Sequence, residues 1–168
     1  METVRLRTER VEPFIKATLE TFKTMVHLKN VRGEIRLRKT GAVSSDVSGI
    51  IGLSGAAEGT VTLALPKRTA QAVAASFLGE TEVSDALVAD SIGEIVNIIT
   101  GFAKQNLPEV DIHISLPTVI VGPGHRSSSH ADSRKVATYF DCPLGEFRLE
   151  VYLEGLPDSL GHAYVGKT

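Results

Sequence analysis

This chain is poor in cysteine, has no surplus of positive charge and contains no long apolar run, and each shortage closes off a class of function. Among its 168 residues the only cysteine is Cys142. A disulfide within the chain is therefore impossible and a thiolate metal cluster is all but excluded, which suits a reducing compartment. The net charge of −2 at pH 7 argues against general nucleic-acid binding, which needs a basic surface. The candidates for a local basic patch, Arg5, Arg7 and Arg10 with Arg32, Arg36, Arg38 and Lys39, read as solvated faces. No stretch of about 20 apolar residues is present, and the segment Met1 to Arg7 lacks the apolar centre of a signal peptide. A cytoplasmic location is the expectation. No repeat at solenoid spacing is evident either.

What is present is an ordinary soluble composition, 42% hydrophobic and 23% charged, in a chain long enough to bury a core without staples. The expectation is one domain over 1–154 and a loose tail over 155–168. A helix is expected from Val11 to Val26, with Pro13 in its first turn and Phe14, Ile15, Leu19, Phe22 and Val26 as an apolar stripe. Val31 to Arg38 alternates as a half-buried strand. Val47 to Leu53 and Gly59 to Leu65 read as a hairpin. A second helix opens at Pro66 and closes at Gly79, and Thr81 or Ser84 caps a third. Strands follow at Asp111 to Ile114 with Thr118 to Val121, at Lys135 to Phe140 and at Phe147 to Leu153. Arg126 to Asp132 is a serine-rich loop.

The order helix, three strands, two helices, three strands predicts an α+β fold, a mainly antiparallel sheet with helices packed on one face. The edge strands of such a sheet must be covered, charged or paired. A homodimer through a sheet edge is expected, with Arg134 to Asp141 and Glu146 to Glu154 as the candidate edges.

The segment Val83 to Asn106 carries the strongest functional signal. Asp90, Glu94, Asn97, Gly101 and Lys104 fall at about 0°, 40°, −20°, 20° and −40° around a helix. Nearly everything else there is apolar. A surface helix normally has the reverse proportions. This one shows solvent a thin line with an acid and an amide at i and i+3. Gly93 and Gly101, beside and on that line, each cost helix stability on the order of 1 kcal/mol relative to Ala. That cost is understandable if another surface approaches closely, whether a partner's or the protein's own core.

Other constellations are weaker. His113, His125 and His130 with Asp111, Asp132 and Asp141 lack a dedicated metal-ligand spacing. Gly122-Pro123-Gly124-His125 lacks the following helix N-terminus of a phosphate cradle. Ser127 to Ser129 could accept phosphate, as many serine-rich loops can. Cys142 reads as a small packed residue.

Asp90-Ser91-Ile92-Gly93-Glu94-Ile95-Val96-Asn97 resembles the Asp/Ser-x-x-x-Glu-x-x-Asn signature of the CheC/CheX/FliY family of bacterial chemotaxis phosphatases, which a proline follows some twenty residues on. Pro117 takes that structural place, somewhat closer than usual. Gly55 to Pro66 resembles the hairpin ahead of the CheX helices, and Leu116 to Gly122 the strand after the signature. Only one signature helix is present, since Glu20 is followed at i+3 by Lys23, so the likeness is closest to CheX.

The resemblance implies a phosphatase acting on the aspartyl phosphate of a CheY-like response regulator. Glu94 and Asn97 would be its catalytic pair, Asn97 orienting the attacking water and Glu94 holding a lysine of the regulator. Asp90, Gly93, Gly101 and Lys104 would form the surrounding partner-binding surface. It implies no cofactor or metal on this chain, Mg²⁺ in the partner, and a dimer joined by strand pairing. The rival readings are a non-catalytic module that binds a receiver domain or a flagellar-switch protein, and a sensory domain with a small ligand between sheet and helices.

Overall fold

Alternating apolar residues along the strands give a sheet one buried face, and the helices cover it. The computed structural model describes residues 2–28, 33–38, 41–107, 111–125 and 135–155. Among these the order is α1 (Glu2–Thr24), β1 (Arg36–Arg38), β2 (Val47–Gly55), β3 (Glu58–Leu65), α2 (Lys67–Leu78), α3 (Asp85–Gln105), β4 (Ile112–Ile114), β5 (Thr118–Val121), β6 (Val136–Cys142) and β7 (Gly145–Glu154). The strands form a seven-stranded sheet in the order β1-β6-β7-β3-β2-β4, with β5 also on β2. Every pairing is antiparallel. The α+β class read from the sequence is the class observed.

The core sits between this face and the helices. Val61 and Leu63 of β3 stand opposite Val151 and Leu149 of β7, all buried. Phe140 faces Phe147 across β6 and β7 with ring centroids 4.9 Å apart, and Phe22 of α1 stacks on Phe147 at 4.3 Å. Helix α3 lies on β2 and β3, burying Ile92, Ile95, Val96 and Ile99. Gly49 of β2 sets how close it comes. A Cβ there would stand 2.9 Å from Val96 Cγ1 and 3.1 Å from the Ile92 carbonyl oxygen. A glycine inside a strand commonly marks such an approach.

Helix ends follow local chemistry. Ser84 is the α3 N-cap, its Oγ accepting from the Leu87 N–H at 3.2 Å. Gly79 closes α2 at φ 70°, a conformation that suits glycine. Asp46 ties three segments together. Its carboxylate accepts from the N–H groups of Gly124 and Lys67 and from the Ser44 hydroxyl, each at 2.9 Å. Those donors, with Gly124 the largest influence, hold the Asp46 carboxyl below the usual carboxylate range.

Several expectations change. Helix α1 begins well before Val11, and Pro13 lies inside it. Residues 2–10 are rich in good helix formers but carry no apolar stripe, so periodicity does not reveal them. The first strand shortens to Arg36–Arg38, with 29–32 outside the described residues, as are the serine-rich loop over 126–132 and the tail from 156 onward. The stretch 112–121 divides into β4 and β5, so four strands follow α3. Of the two candidate dimer edges, Glu146 to Glu154 proves to be an interior strand, and Arg134 to Asp141 is covered by β1 only at Tyr139 to Asp141. β7 is paired on both sides, to β3 and β6, and β6 lies between β7 and β1. Alternation within a strand reports which face is buried, not the strand's place in the sheet. Among the described residues the open edges are β1, with the stretch Val136 to Thr138 of β6 that it leaves uncovered, and the β4–β5 side.

Helix α3 is long and apolar enough to cross a membrane by length and composition. It is a core helix instead, packed against α1, α2 and the sheet.

Candidate functional site

The packing of α3 fixes which of its residues meet solvent. Asp90, Glu94 and Lys104 are exposed, Asn97 and Gly101 are half-buried, and Ile92, Ile95, Val96 and Ile99 are buried on the opposite side. The polar line read from the helical period is therefore the helix's solvent face. Asn97 lies one turn beyond Glu94, a rise of about 4.5 Å. Among the described residues, neither side chain has a hydrogen bond or ion pair. An unpaired acid and an unpaired amide stand side by side on a helix whose other faces are locked.

The two glycines serve different neighbours. A Cβ on Gly101 would meet nothing within 4 Å, so this turn of the line is open to an approaching surface. Gly93 is buried. A Cβ there would lie 3.1 Å from Val119 Cγ2 and 3.7 Å from Pro117. The close approach at Gly93 is to the protein's own β5 segment, not to solvent. Pro117 thus rests on the helix one residue before Glu94 and helps to fix the turn that carries the pair. Gly93→Leu should lower stability by about 2 kcal/mol through overpacking, read as a reduced denaturant midpoint. An unchanged midpoint would contradict the Pro117–Gly93 contact.

The β5 segment is held in turn by β2. Thr118 to Val121 pairs with Ile50 to Val47. Ahead of it, the Ser115 N–H donates to the Gly52 carbonyl at 2.9 Å and the Gly52 N–H donates to Ser115 Oγ at 2.8 Å. Gly49, Ser115 and Val119 position the site, yet none of them stood out from the sequence. The interior glycine of Val47-Ser48-Gly49-Ile50-Ile51 was the available signal.

The remaining candidates have structural duties. His125 is taken up by the Gly122 carbonyl at 2.9 Å and Ser48 Oγ at 2.8 Å. His113 stands 3.7 Å from Asp111. Among the described residues no group of three or more His, Cys, Asp or Glu side chains converges on a metal position; His130 and Asp132 lie outside them. Gly122-Pro123-Gly124 is a turn, and its N–H groups are spent on Asp46, Gly122 on the main-chain oxygen and Gly124 on the carboxylate, both at 2.9 Å. Burial pushes the Cys142 thiol up, and its Sγ lies 3.2 Å from the Gly145 carbonyl oxygen, so it is no activated nucleophile. A cleft of about 260 Å³ lies among Asp46, Lys67, Asp85, Val88 and Val121, on the far side of α3 from the polar line.

A seven-stranded antiparallel sheet packed on three helices is a fold that known proteins share. Residues 47–141 match the family model described as chemotaxis phosphatase CheX, and the chain belongs to that family. A CheX chemotaxis protein from Vibrio vulnificus has 30% identity over 88% of this chain and 98% of its own, with a TM-score of 0.75. CheX from Desulfovibrio desulfuricans has 30% identity over 87% and 99%, with a TM-score of 0.71. The CheX–CheY–BeF3–Mg²⁺ complex from Borrelia burgdorferi matches at 25% identity over 86% and 97%, with a TM-score of 0.67. No curated protein sequence matches the chain.

Proposed function

We propose that this protein hydrolyses the aspartyl phosphate of a CheY-like response regulator, with Glu94 and Asn97 as the working pair. The observation that carries this reading is the unpaired acid and amide, one turn apart, on an otherwise buried helix in a CheX fold. The Borrelia relative in complex with CheY supports the choice of partner.

The chemistry asks little of this chain. Phosphoryl transfer has a loose transition state, and catalysis is mostly positioning and charge stabilisation. The regulator supplies the acyl phosphate and the Mg²⁺, and no cofactor is needed here. The Asn97 amide holds a water in line with the phosphorus. As the water oxygen bonds to phosphorus, the bond to the aspartyl oxygen breaks and the carboxylate leaves. An amide does this without being a base, and being neutral it adds no repulsion to the phosphoryl oxygens. Glu94 pairs with a regulator lysine and fixes the amide in place. Asp90, Gly101 and Lys104 extend the contact along the line, and a cytoplasmic location follows from such a partner.

Glu94→Gln keeps the side chain's shape and removes its charge. It should raise KM and slow turnover together, because one contact serves both. Salt screens such pairs, so the wild-type rate at low regulator concentration should fall as ionic strength rises. Kinetics indifferent to both changes would remove Glu94 from the contact.

We further propose a homodimer through the β5 edge. The opposite edge is short and charged, with Arg38 of β1 paired to Asp141 at 3.0 Å and to Glu146 at 2.8 Å. β5 instead exposes Ile120 and Val121 and, among the described residues, pairs on one side alone. Light scattering at micromolar concentration should give twice the chain mass, and Val121→Lys should lower it. A strictly monomeric wild type would contradict this.

The test of the whole reading is incubation of catalytic amounts of the protein with phosphorylated receiver domains. Accelerated loss of the phosphoryl group is expected. Tight binding without acceleration would leave a non-catalytic receiver-binding module.

A further inference from the structure

Leu116 is 88% exposed, the most exposed large apolar side chain among the described residues. Its neighbours are anchored: Ser115 by two hydrogen bonds to Gly52, and Pro117 by its contact with the Gly93 position of α3. The side chain is thus held out to solvent by a rigid support.

Two contacts place it relative to the polar line. Val121 and Val88 border the same cleft, while Pro117 and Val119 lie against Gly93. β5 therefore runs opposite to α3, along the margin where Gly93 sits at about −60° on the helical projection. Gly93 is thus level with Thr118, between Pro117 and Val119, and two residues of extended chain from there, about 7 Å, lead to Leu116. That distance is a little over one helical turn from Gly93, which is the level of Asn97. Asn97, at about −20°, is also on the β5 side of the line. Across the line, at about +60°, stands Leu87 of α3, 44% exposed.

We propose that Leu116 is the apolar anchor on which the phosphorylated receiver domain seats, with Leu87 as a lesser contact at the opposite margin. This rests on the phosphatase reading given above. The occupant follows from continuity: a receiver that brings its phosphoryl group to Asn97 must cover the ground beside Asn97, and Leu116 occupies it. A second copy fits less well there. Pro117 lacks an N–H, and 115–117 lies between two strands, so edge pairing is offered by 118–121. A backbone fastened on both sides of the anchor also lowers the ordering entropy lost on docking.

The test measures binding of a receiver domain activated with beryllofluoride and Mg²⁺, alongside turnover of the phosphorylated domain. Leu116→Asp should weaken binding about thirtyfold, the loss of roughly one buried leucine. KM should rise in proportion, with kcat within about twofold, and the melting temperature and oligomeric mass should be unchanged. Leu116→Met should restore most of the affinity. Equal binding by wild type and Leu116→Asp would overturn the assignment, as would loss of dimer mass in that variant, which would give Leu116 to the second copy. Asn97→Ala separates the two claims, since it should bind the activated domain normally while failing to hydrolyse. If the wild type binds without hydrolysing, the phosphatase reading falls and the docking surface stands. If it binds no activated receiver, both fall.

Discussion

Asn97→Ala should slow dephosphorylation of the regulator by roughly a hundredfold, about 2.7 kcal/mol of barrier, with no loss of stability. The size follows from the task given to the amide. Positioning a reactant in a near-attack geometry is worth several kcal/mol, and this chain supplies little else to the reacting atoms. The absence of a stability cost follows from the surroundings. Asn97 is half-buried and makes no hydrogen bond among the described residues, so truncation leaves no buried group unpaired. Asn97→Asp should fail as well. It preserves shape but sets a carboxylate against the phosphoryl oxygens, and it loses the amide's donor. Single-turnover rates and a denaturant melt for each variant check this. Near-normal rates in either would remove Asn97 from the mechanism.

Gly101→Leu should abolish dephosphorylation while leaving the protein folded. A side chain at this position points into open space, one turn beyond Asn97 on the same line. A partner seated on the line would meet the new isobutyl group before it met the amide. The smaller Gly101→Ala should stabilise the helix by up to about 1 kcal/mol, since alanine is the better helix former, yet weaken regulator binding. The measurements are a denaturant midpoint and a dephosphorylation rate for each variant. The opposite sign of the stability effect at Gly93, one buried glycine earlier in the same helix, makes the pair a sharp check on the phase of α3. If Gly101→Leu melts early by several kcal/mol, the phase is wrong. If it is stable and fully active, the partner does not use this turn.

The phase of α3 was legible because a period of 3.6 residues is a local property, and four polar side chains with Gly101 within about 80° leave one solution. The two glycines were not separable by the same means. Angle alone puts Gly93 at the margin, and only the tertiary placement of Pro117 and Val119 shows that the margin is occupied. The hairpin of β2 and β3 was legible from turn chemistry, and cap chemistry narrowed the start of α3 to Thr81 or Ser84, of which Ser84 is the cap. The sheet's edges were not. Phe147, Leu149 and Val151 alternate in the same way whether their strand is central or peripheral, because order within a sheet is set by pairing across long stretches of chain. Gly49 falls between these cases. A glycine among β-branched residues announces a close approach but not what approaches. Here it is Val96 of α3, which ties the depth of that helix to the middle of β2.

In the proposed mechanism this chain directs a water at the phosphorus and contributes no nucleophile of its own. The most direct measurement is a single turnover of the phosphorylated regulator in ¹⁸O-water, with mass analysis of the released phosphate and of both proteins. The expected result is one labelled oxygen in the phosphate, no label in the regulator's aspartate and no phosphorylated form of this chain at any time. Label in the aspartate would place the attack at the carbonyl carbon, and a phosphorylated intermediate on this chain would mean a protein nucleophile; either result contradicts it.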